Sequence, residues 1–145
     1  MTYRIVSGKF TGLLLGLLAS FFFLDHVEEL NHPLLFSLGI EFWYAMMGGM
    51  IGMAGLWDKH AALNVELQPW IRGGLVGALM NMMLVCFIYD DLQKLLQAFA
   101  TPISNDTSGP FIIMAFEGFV FGAIIDMVVS HFSQRNIKHA IRQKV

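Results

Sequence analysis

Residues 111–132 read FIIMAFEGFVFGAIIDMVVSHF, a run of 22 residues whose only polar members are two acids, a serine and a histidine. A helix needs about 20 mostly apolar residues to cross a bilayer hydrocarbon core of about 30 Å. Three further stretches of similar length and character occupy residues 5–24, 34–56 and 70–89. The sequence therefore predicts an all-α polytopic membrane protein in which residues 1–145 form one four-helix transmembrane bundle.

The composition of the chain excludes several classes of protein. Hydrophobic residues make up 56% of the sequence and charged residues 14%, which is unlike a water-soluble domain. The net charge of −2 argues against a basic surface for phosphate groups, so we expect no nucleic-acid partner. No nucleophile-and-base pattern, phosphate-binding glycine loop or Cys-x-x-Cys pair occurs, so we expect neither enzymatic activity nor a cofactor. The single cysteine, Cys86, lies in an apolar stretch, where we expect a buried and inert thiol.

The positions of the basic residues predict how the bundle is oriented. Cytoplasmic loops of membrane proteins are enriched in lysine and arginine. If the N-terminus is cytoplasmic, only Lys94 lies outside, and the other eight basic residues lie inside: Arg4, Lys9, Lys59, Arg72, Arg135, Lys138, Arg142 and Lys144. We therefore predict that both termini are cytoplasmic, and we expect the protein in the bacterial inner membrane.

A short amphipathic pattern follows the third apolar stretch. Large apolar residues recur at helical spacing from Leu92 to Phe99, and Thr101-Pro102 ends the pattern. We predict a separate surface helix over about residues 91–100, lying on the outer face of the membrane.

Every predicted span carries a stripe of small residues at helical spacing. Helices associate in lipid through close backbone approach at such faces. The stripes consist of Gly8, Gly12 and Gly16 in the first span, Ala45, Gly48, Gly52 and Gly55 in the second, Gly73 and Gly77 in the third, and Gly118 and Gly122 in the fourth. We predict that these faces, and above all Gly12, Gly16, Gly48, Gly52, Gly77 and Gly122, pack the helices tightly. The alternative is that the stripes narrow a pore or let helices slide.

Four polar residues inside the spans are candidates for binding a proton or an ion. By helical geometry, Glu41, Asn81 and Asp126 lie on the small-residue faces and point into the bundle. Glu117 lies at the same depth as Glu41, on the helix face opposite Asp126. A carboxylate near the membrane centre costs about 2.5 kcal/mol or more and is kept mainly where it is used or paired. The alternatives are an ion pair between Arg72 and Asp126, and glutamates that are neutral hydrogen-bonded acids.

Two other groups of residues bear on metal binding. Met46, Met50 and Met53 share one face of the second span, and thioethers are ligands that suit Cu(I). Without a cysteine or histidine at that depth, we interpret them as fillers of an irregular core. Two histidines and three acids crowd residues 25–32, but their spacing fits no closed structural site. We therefore expect no metal.

Two functions are consistent with these features. The leading hypothesis is a small channel or transporter that moves a proton, a cation or a small solute, with Glu41 as the first candidate for the titrating group. Four helices are few to enclose a hydrated path, so we expect the pathway between the protomers of a homo-oligomer or within a larger membrane complex. The alternative is a non-transporting accessory subunit or an immunity-type membrane protein, in which outer loops or exposed helix faces recognise a partner. The lipid bilayer is a partner in both.

Overall fold

A computed structural model describes residues 2–23, 33–56, 67–98 and 108–142, which form four α-helices and contain no strand. The helices are α1 (Thr2–Phe23), α2 (Pro33–Ala54), α3 (Pro69–Ala98) and α4 (Gly109–Arg142). Each contains a segment that is long and apolar enough to cross a membrane. The predicted fold class, a four-helix transmembrane bundle, is therefore confirmed. The predicted loop over residues 25–32 lies outside the described residues.

Prolines mark where three of the helices begin. Pro33 and Pro69 are the first residues of α2 and α3, and Pro110 is the second residue of α4. Proline has no backbone N–H and a fixed φ near −65°, so the first helical turn tolerates it. The prolines therefore separate the spans without interrupting any of them.

Helices α1 and α2 pack antiparallel with their backbones in direct contact. A methyl group added to Gly8 would overlap the carbonyl oxygen of Gly48, and one added to Gly48 would overlap the carbonyl oxygen of Gly8. A methyl group on Gly12 would meet the backbone of Tyr44 in the same way. No side chain fits at these positions, so glycine is what lets the two helices approach.

Helices α3 and α4 form a second hairpin of the same construction. Gly73 lies against the carbonyl of Gly122, and Gly77 lies against the carbonyl of Gly118. A methyl group added to Gly122 or Gly118 would in turn overlap the carbonyl oxygen of Gly73 or Gly77. We call the α1–α2 and α3–α4 contacts the two seams. The six glycines that we predicted to pack helices all lie there: Gly12, Gly16, Gly48 and Gly52 at the first seam, and Gly77 and Gly122 at the second.

The two hairpins pack against each other around a small apolar core. Helices α2 and α4 each contact all three other helices. Fully buried side chains at the centre include Met47, Ile51, Ile125 and Val129. The bundle is thus held by backbone contact within each hairpin and by side-chain contact between hairpins.

The outer surface of the bundle is apolar, as a surface facing lipid should be. Phe42, Phe87 and Phe116 are among its most exposed residues. Cys86 is exposed on this surface, so the predicted burial of its thiol is wrong. The methionine face of α2, which we interpreted as core filler, is likewise exposed: Met46, Met50 and Met53. Lipid is about as apolar as a protein core, so sequence hydropathy does not separate the two environments.

Helix α3 continues beyond the predicted end of its span. The backbone of Ile88 is non-helical, with φ −121° and ψ 23°, and helix resumes after it as far as Ala98. Leu92 and Leu96 are buried against Val85 and the start of α4. The segment that we predicted as a surface helix over about 91–100 is therefore helical as far as Ala98 and is set off from the rest of α3 by the kink at Ile88, and its apolar face packs on protein.

Candidate functional site

Asp126 of α4 lies at the centre of a buried ion-pair cluster. Its carboxylate is wholly buried. Arg72 of α3 donates from Nε to Oδ2 at 2.8 Å and from Nη2 to Oδ1 at 3.0 Å. This two-pronged geometry matches the planar guanidinium to the carboxylate and is the strongest form of such a pair. The structure thus brings together the two residues that we predicted as an ion pair.

Two further side chains complete the Asp126 cluster. Arg4 of α1 donates from Nη2 to Asp126 Oδ1 at 3.4 Å and to the hydroxyl of Ser130 at 3.2 Å. Ser130 in turn donates to Asp126 Oδ1 at 3.2 Å. A buried carboxylate needs such partners to offset the loss of hydration. The cluster therefore ties α1, α3 and α4 together at the end of the bundle where α1 begins.

Glu117 of α4 forms the centre of a second polar network. Tyr44 of α2 donates its hydroxyl to Oε1 of Glu117 at 2.7 Å, and Asn81 of α3 donates its amide nitrogen to Oε2 at 3.3 Å. Trp43 of α2 donates its indole nitrogen to Oδ1 of Asn81 at 3.1 Å. Asn81 is wholly buried and Tyr44 nearly so. The network joins α4 to both α2 and α3.

The chemistry of the partners fixes the direction of these hydrogen bonds. An indole N–H can only donate, so the oxygen of Asn81 must face Trp43 and its NH₂ group must face Glu117. Of the Asn81 and Tyr44 atoms that donate to Glu117, the amide nitrogen can only donate, whereas the hydroxyl oxygen of Tyr44 can donate or accept. If Glu117 binds a proton on Oε1, the bond to Tyr44 reverses and is kept. The site therefore holds the carboxyl group in both protonation states.

A cavity of about 40 Å³ borders the Glu117 carboxyl between α2, α3 and α4. Its lining is otherwise largely apolar and includes Ile40, Leu84 and Met114. Ile88, the non-helical residue of α3, also lines it. Roughly 10–15 Å³ of cavity volume is enough for one water molecule, so this cavity has room for water. The Glu117 carboxyl thus lies beside both the cavity and Ile88, where the helical backbone of α3 is interrupted.

Glu41 lies in a different environment from Glu117. It is half-buried at the seam between α1 and α2, and Ser20 donates its hydroxyl to Oε1 at 3.3 Å. Within the described residues, no hydrogen bond joins Glu41 to Glu117. Tyr44 lies one helical turn from Glu41 on α2 and is the residue that reaches Glu117. The two glutamates are thus separated by Tyr44 and do not share a site.

The helix register explains how α4 places both of its carboxylates. Nine residues separate Arg72 from Asn81 on α3, and nine separate Glu117 from Asp126 on α4. In an antiparallel pair this equal spacing sets Arg72 opposite Asp126 and Asn81 opposite Glu117. Glu117 does lie on the helix face opposite Asp126 by ideal geometry, but α4 has helices on several sides, so both faces meet protein.

Sequence reasoning missed four residues of these networks, Arg4, Ser130, Trp43 and Tyr44, and two of them lie on the small-residue faces. We counted Arg4 only as a charge that sets orientation, although it lies four residues before Gly8 and so continues the small-residue face of α1. Tyr44 lies one turn before Gly48 on the inner face of α2 and was not considered. In both cases the helical spacing that identified the glycines also places the missed residue on the same helix face.

The described residues contain no group of three or more His, Cys, Asp or Glu side chains arranged to hold a metal ion. Comparison with known protein families, with curated proteins and with solved structures finds no match to this chain. Function is therefore inferred from the geometry of the Asp126 cluster and the Glu117 network.

Proposed function

We propose that this protein is a small channel or transporter in which Glu117 takes up and releases a proton within the membrane. The observation that carries the proposal is the position of the Glu117 carboxyl, which borders a cavity beside the non-helical residue of α3. Carboxylates inside membrane spans mark ion pathways and proton relays. Non-helical backbone at membrane depth is tolerated where it is buried in protein or lines a cavity.

The partners of Glu117 favour a proton over a metal cation as the bound species. Both carboxylate oxygens receive hydrogen bonds from donors, Tyr44 on one side and Asn81 on the other. A cation site needs oxygen acceptors turned toward the ion, whereas donor hydrogens repel it. A proton requires only that the Tyr44 hydroxyl change from donor to acceptor.

The orientation, the assembly and the role of Glu41 complete the proposal. We place both termini in the cytoplasm because eight of nine basic residues then lie inside, and we propose the bacterial inner membrane as the location. Both helix seams are packed backbone to backbone, which favours a pathway between the protomers of an oligomer over one through each hairpin. Glu41, three residues before Tyr44 on α2, is the second candidate for a titrating group.

A second candidate function is a non-transporting accessory or immunity-type membrane subunit. The observation that favours it is that Glu41, Glu117 and Asp126 each have a hydrogen-bond partner within the chain. A carboxyl group whose role is to join helices requires no more than this. In that case the exposed helix faces would recognise the partner.

Proton flux into proteoliposomes separates the two functions. The purified protein is reconstituted with a trapped pH-sensitive dye, and a potassium gradient with valinomycin drives proton entry. We expect Glu117→Gln to reduce the flux to that of protein-free liposomes, because glutamine keeps the shape and hydrogen bonds but does not titrate. Asp91→Asn is the control, since the half-exposed side chain of Asp91 pairs with Lys94 and is not part of the cavity lining.

Circular dichroism and gel filtration verify that each variant is folded before flux is compared. A folded Glu117→Gln protein with full flux would overturn the proposal. Absence of flux from the unsubstituted protein, together with its co-purification in a larger complex from the native membrane, would favour the accessory function.

A further inference from the structure

A groove of about 530 Å³ runs along the outside of the first hairpin, between α1 and the methionine face of α2. We call it the Lys9 groove and define it by Lys9, Phe42, Met46, Gly49, Met50 and Met53. The phenylalanine and the three methionines are exposed on the surface that faces lipid. The feature is therefore an apolar depression open to the bilayer.

Lys9 places a positive charge on this apolar surface. It lies six residues beyond Tyr3, where the span of α1 begins, or about 9 Å into the span at 1.5 Å per residue. Its side-chain stem lies across Gly49, with Cγ and Cε 3.1 and 3.0 Å from where a methyl group on that glycine would be. The ion pairs among the described residues involve Asp126 and Asp91, so none includes Lys9.

The ammonium group of a lysine in this position must either pair with an anion or reach the membrane interface. An ammonium group within the hydrocarbon is costly, and long basic side chains relieve that cost by extending toward the headgroups. The stem of Lys9 runs across Gly49, and the ammonium group at its end can extend from there toward the headgroups at the membrane surface where α1 begins. Headgroup phosphates at that surface are anions that a basic side chain can pair with.

The length of the groove matches one lipid leaflet. It extends from Phe42 to Met53, eleven residues of α2, or about 16 Å at 1.5 Å per residue. Half of a hydrocarbon core of about 30 Å is about 15 Å. Met53 lies at the end of α2 that packs beside the start of α1, so the groove runs from one membrane surface to the bilayer centre. Flexible methionine side chains can adapt to the varied shape of an acyl chain.

We infer that the Lys9 groove binds one anionic phospholipid, with an acyl chain along the methionines and the headgroup phosphate paired with Lys9. Charge complementarity and the one-leaflet length of the groove identify this occupant. If the N-terminus is cytoplasmic, the groove opens to the leaflet in which anionic lipids supply a negative surface potential. The inference is independent of proton transport by Glu117.

Native mass spectrometry of the purified protein in detergent tests the inference. Phosphatidylglycerol and phosphatidylcholine with identical acyl chains are added separately, and the dissociation constant of the first bound lipid is measured. We expect phosphatidylglycerol to bind more tightly, and Lys9→Gln to reduce that preference about fivefold, the factor corresponding to about 1 kcal/mol per basic residue near the surface. Lys94→Gln, at an exposed lysine outside the groove, should leave the preference unchanged.

The acyl chain is tested separately from the headgroup. Met50→Trp fills the groove and should weaken binding of both lipids, whereas Leu79→Trp, at an exposed position of α3 outside the groove, should not. If Lys9→Gln does not fold, Lys9→Arg must keep the preference while Met50→Trp reduces binding.

Three results would overturn the inference. The first is a phosphatidylglycerol preference that survives Lys9→Gln. The second is an equal loss of preference in Lys9→Gln and Lys94→Gln. The third is a stable dimer, or a complex with another protein, that Met50→Trp disrupts, because the groove would then be occupied by a helix.

Discussion

Replacing Gly48 with alanine tests the seam between α1 and α2 directly. The added methyl group would overlap the carbonyl oxygen of Gly8 and would lie 3.3 Å from the Cα atom of Gly12. Both neighbours are helix backbone, which cannot turn aside as a flexible side chain does. The two helices must therefore separate, and contacts are lost along the whole seam.

Gly39 provides a matched control in the same helix. A methyl group added there meets no atom within 4 Å. Alanine is favoured over glycine in a helix interior by about 1 kcal/mol, and this gain applies at both positions. Overpacking costs about 1–3 kcal/mol, so we expect the free energy of unfolding of Gly48→Ala to lie below that of Gly39→Ala by that amount.

Unfolding of both variants is measured in the same detergent by titration with sodium dodecyl sulfate, followed by circular dichroism. Equal free energies of unfolding would refute the backbone-contact argument. Leucine at Gly48 or Gly52 should lower the melting temperature more than Met46→Leu, because Met46 is exposed on the lipid-facing surface.

Further predictions concern charge, orientation and accessibility. Asp126→Asn and Arg72→Met should each destabilise the fold by about 3–5 kcal/mol, because the first leaves two guanidinium groups without their acid and the second removes the two-pronged partner of the buried carboxylate. The double variant should lose less than the sum, and an additive loss in detergent unfolding would contradict their coupling. A reporter that is active only outside the cytoplasm, fused after Val145, should be silent, and activity would reverse the orientation. Glu41→Gln should fold and lose pH-dependent flux; if it keeps full pH-sensitive flux in proteoliposomes, Glu41 is structural. Cys86 should react with an apolar maleimide in detergent without unfolding, since it is exposed; protection until unfolding would show that another surface covers it.

The fold could be predicted because it depends on local properties of the sequence. Span length and hydropathy are read directly along the chain, and four spans leave few alternatives to an antiparallel bundle. The helix seams were predictable for the same reason. Gly8 and Gly12, and again Gly73 and Gly77, recur at helical spacing, and lipid offers helices little other means of close association.

The sequence alone could not determine which helices meet across the bundle. The pairs Arg4 with Asp126 and Tyr44 with Glu117 join residues far apart in sequence, and their depth in the membrane does not select the partner helix. Similarly, no property of Cys86 distinguishes a lipid-facing position from a core position. An apolar environment surrounds the side chain in both cases.

The two carboxylates of α4 differ in what their partners can do. Each is bonded to one side chain of α3 and to one of the first hairpin, so each joins the two halves of the bundle. The guanidinium groups around Asp126 can only donate, so a proton on that carboxylate would cost the cluster at least one of its bonds. The hydroxyl of Ser130 beside Asp126 already accepts from Arg4. Glu117 faces the hydroxyl of Tyr44, which can reverse its hydrogen bond, beside a cavity and an interruption of the helix backbone. The Asp126 cluster is therefore suited to staying ionised and fixed. The Glu117 network is suited to gaining and losing a proton while the two hairpins remain connected.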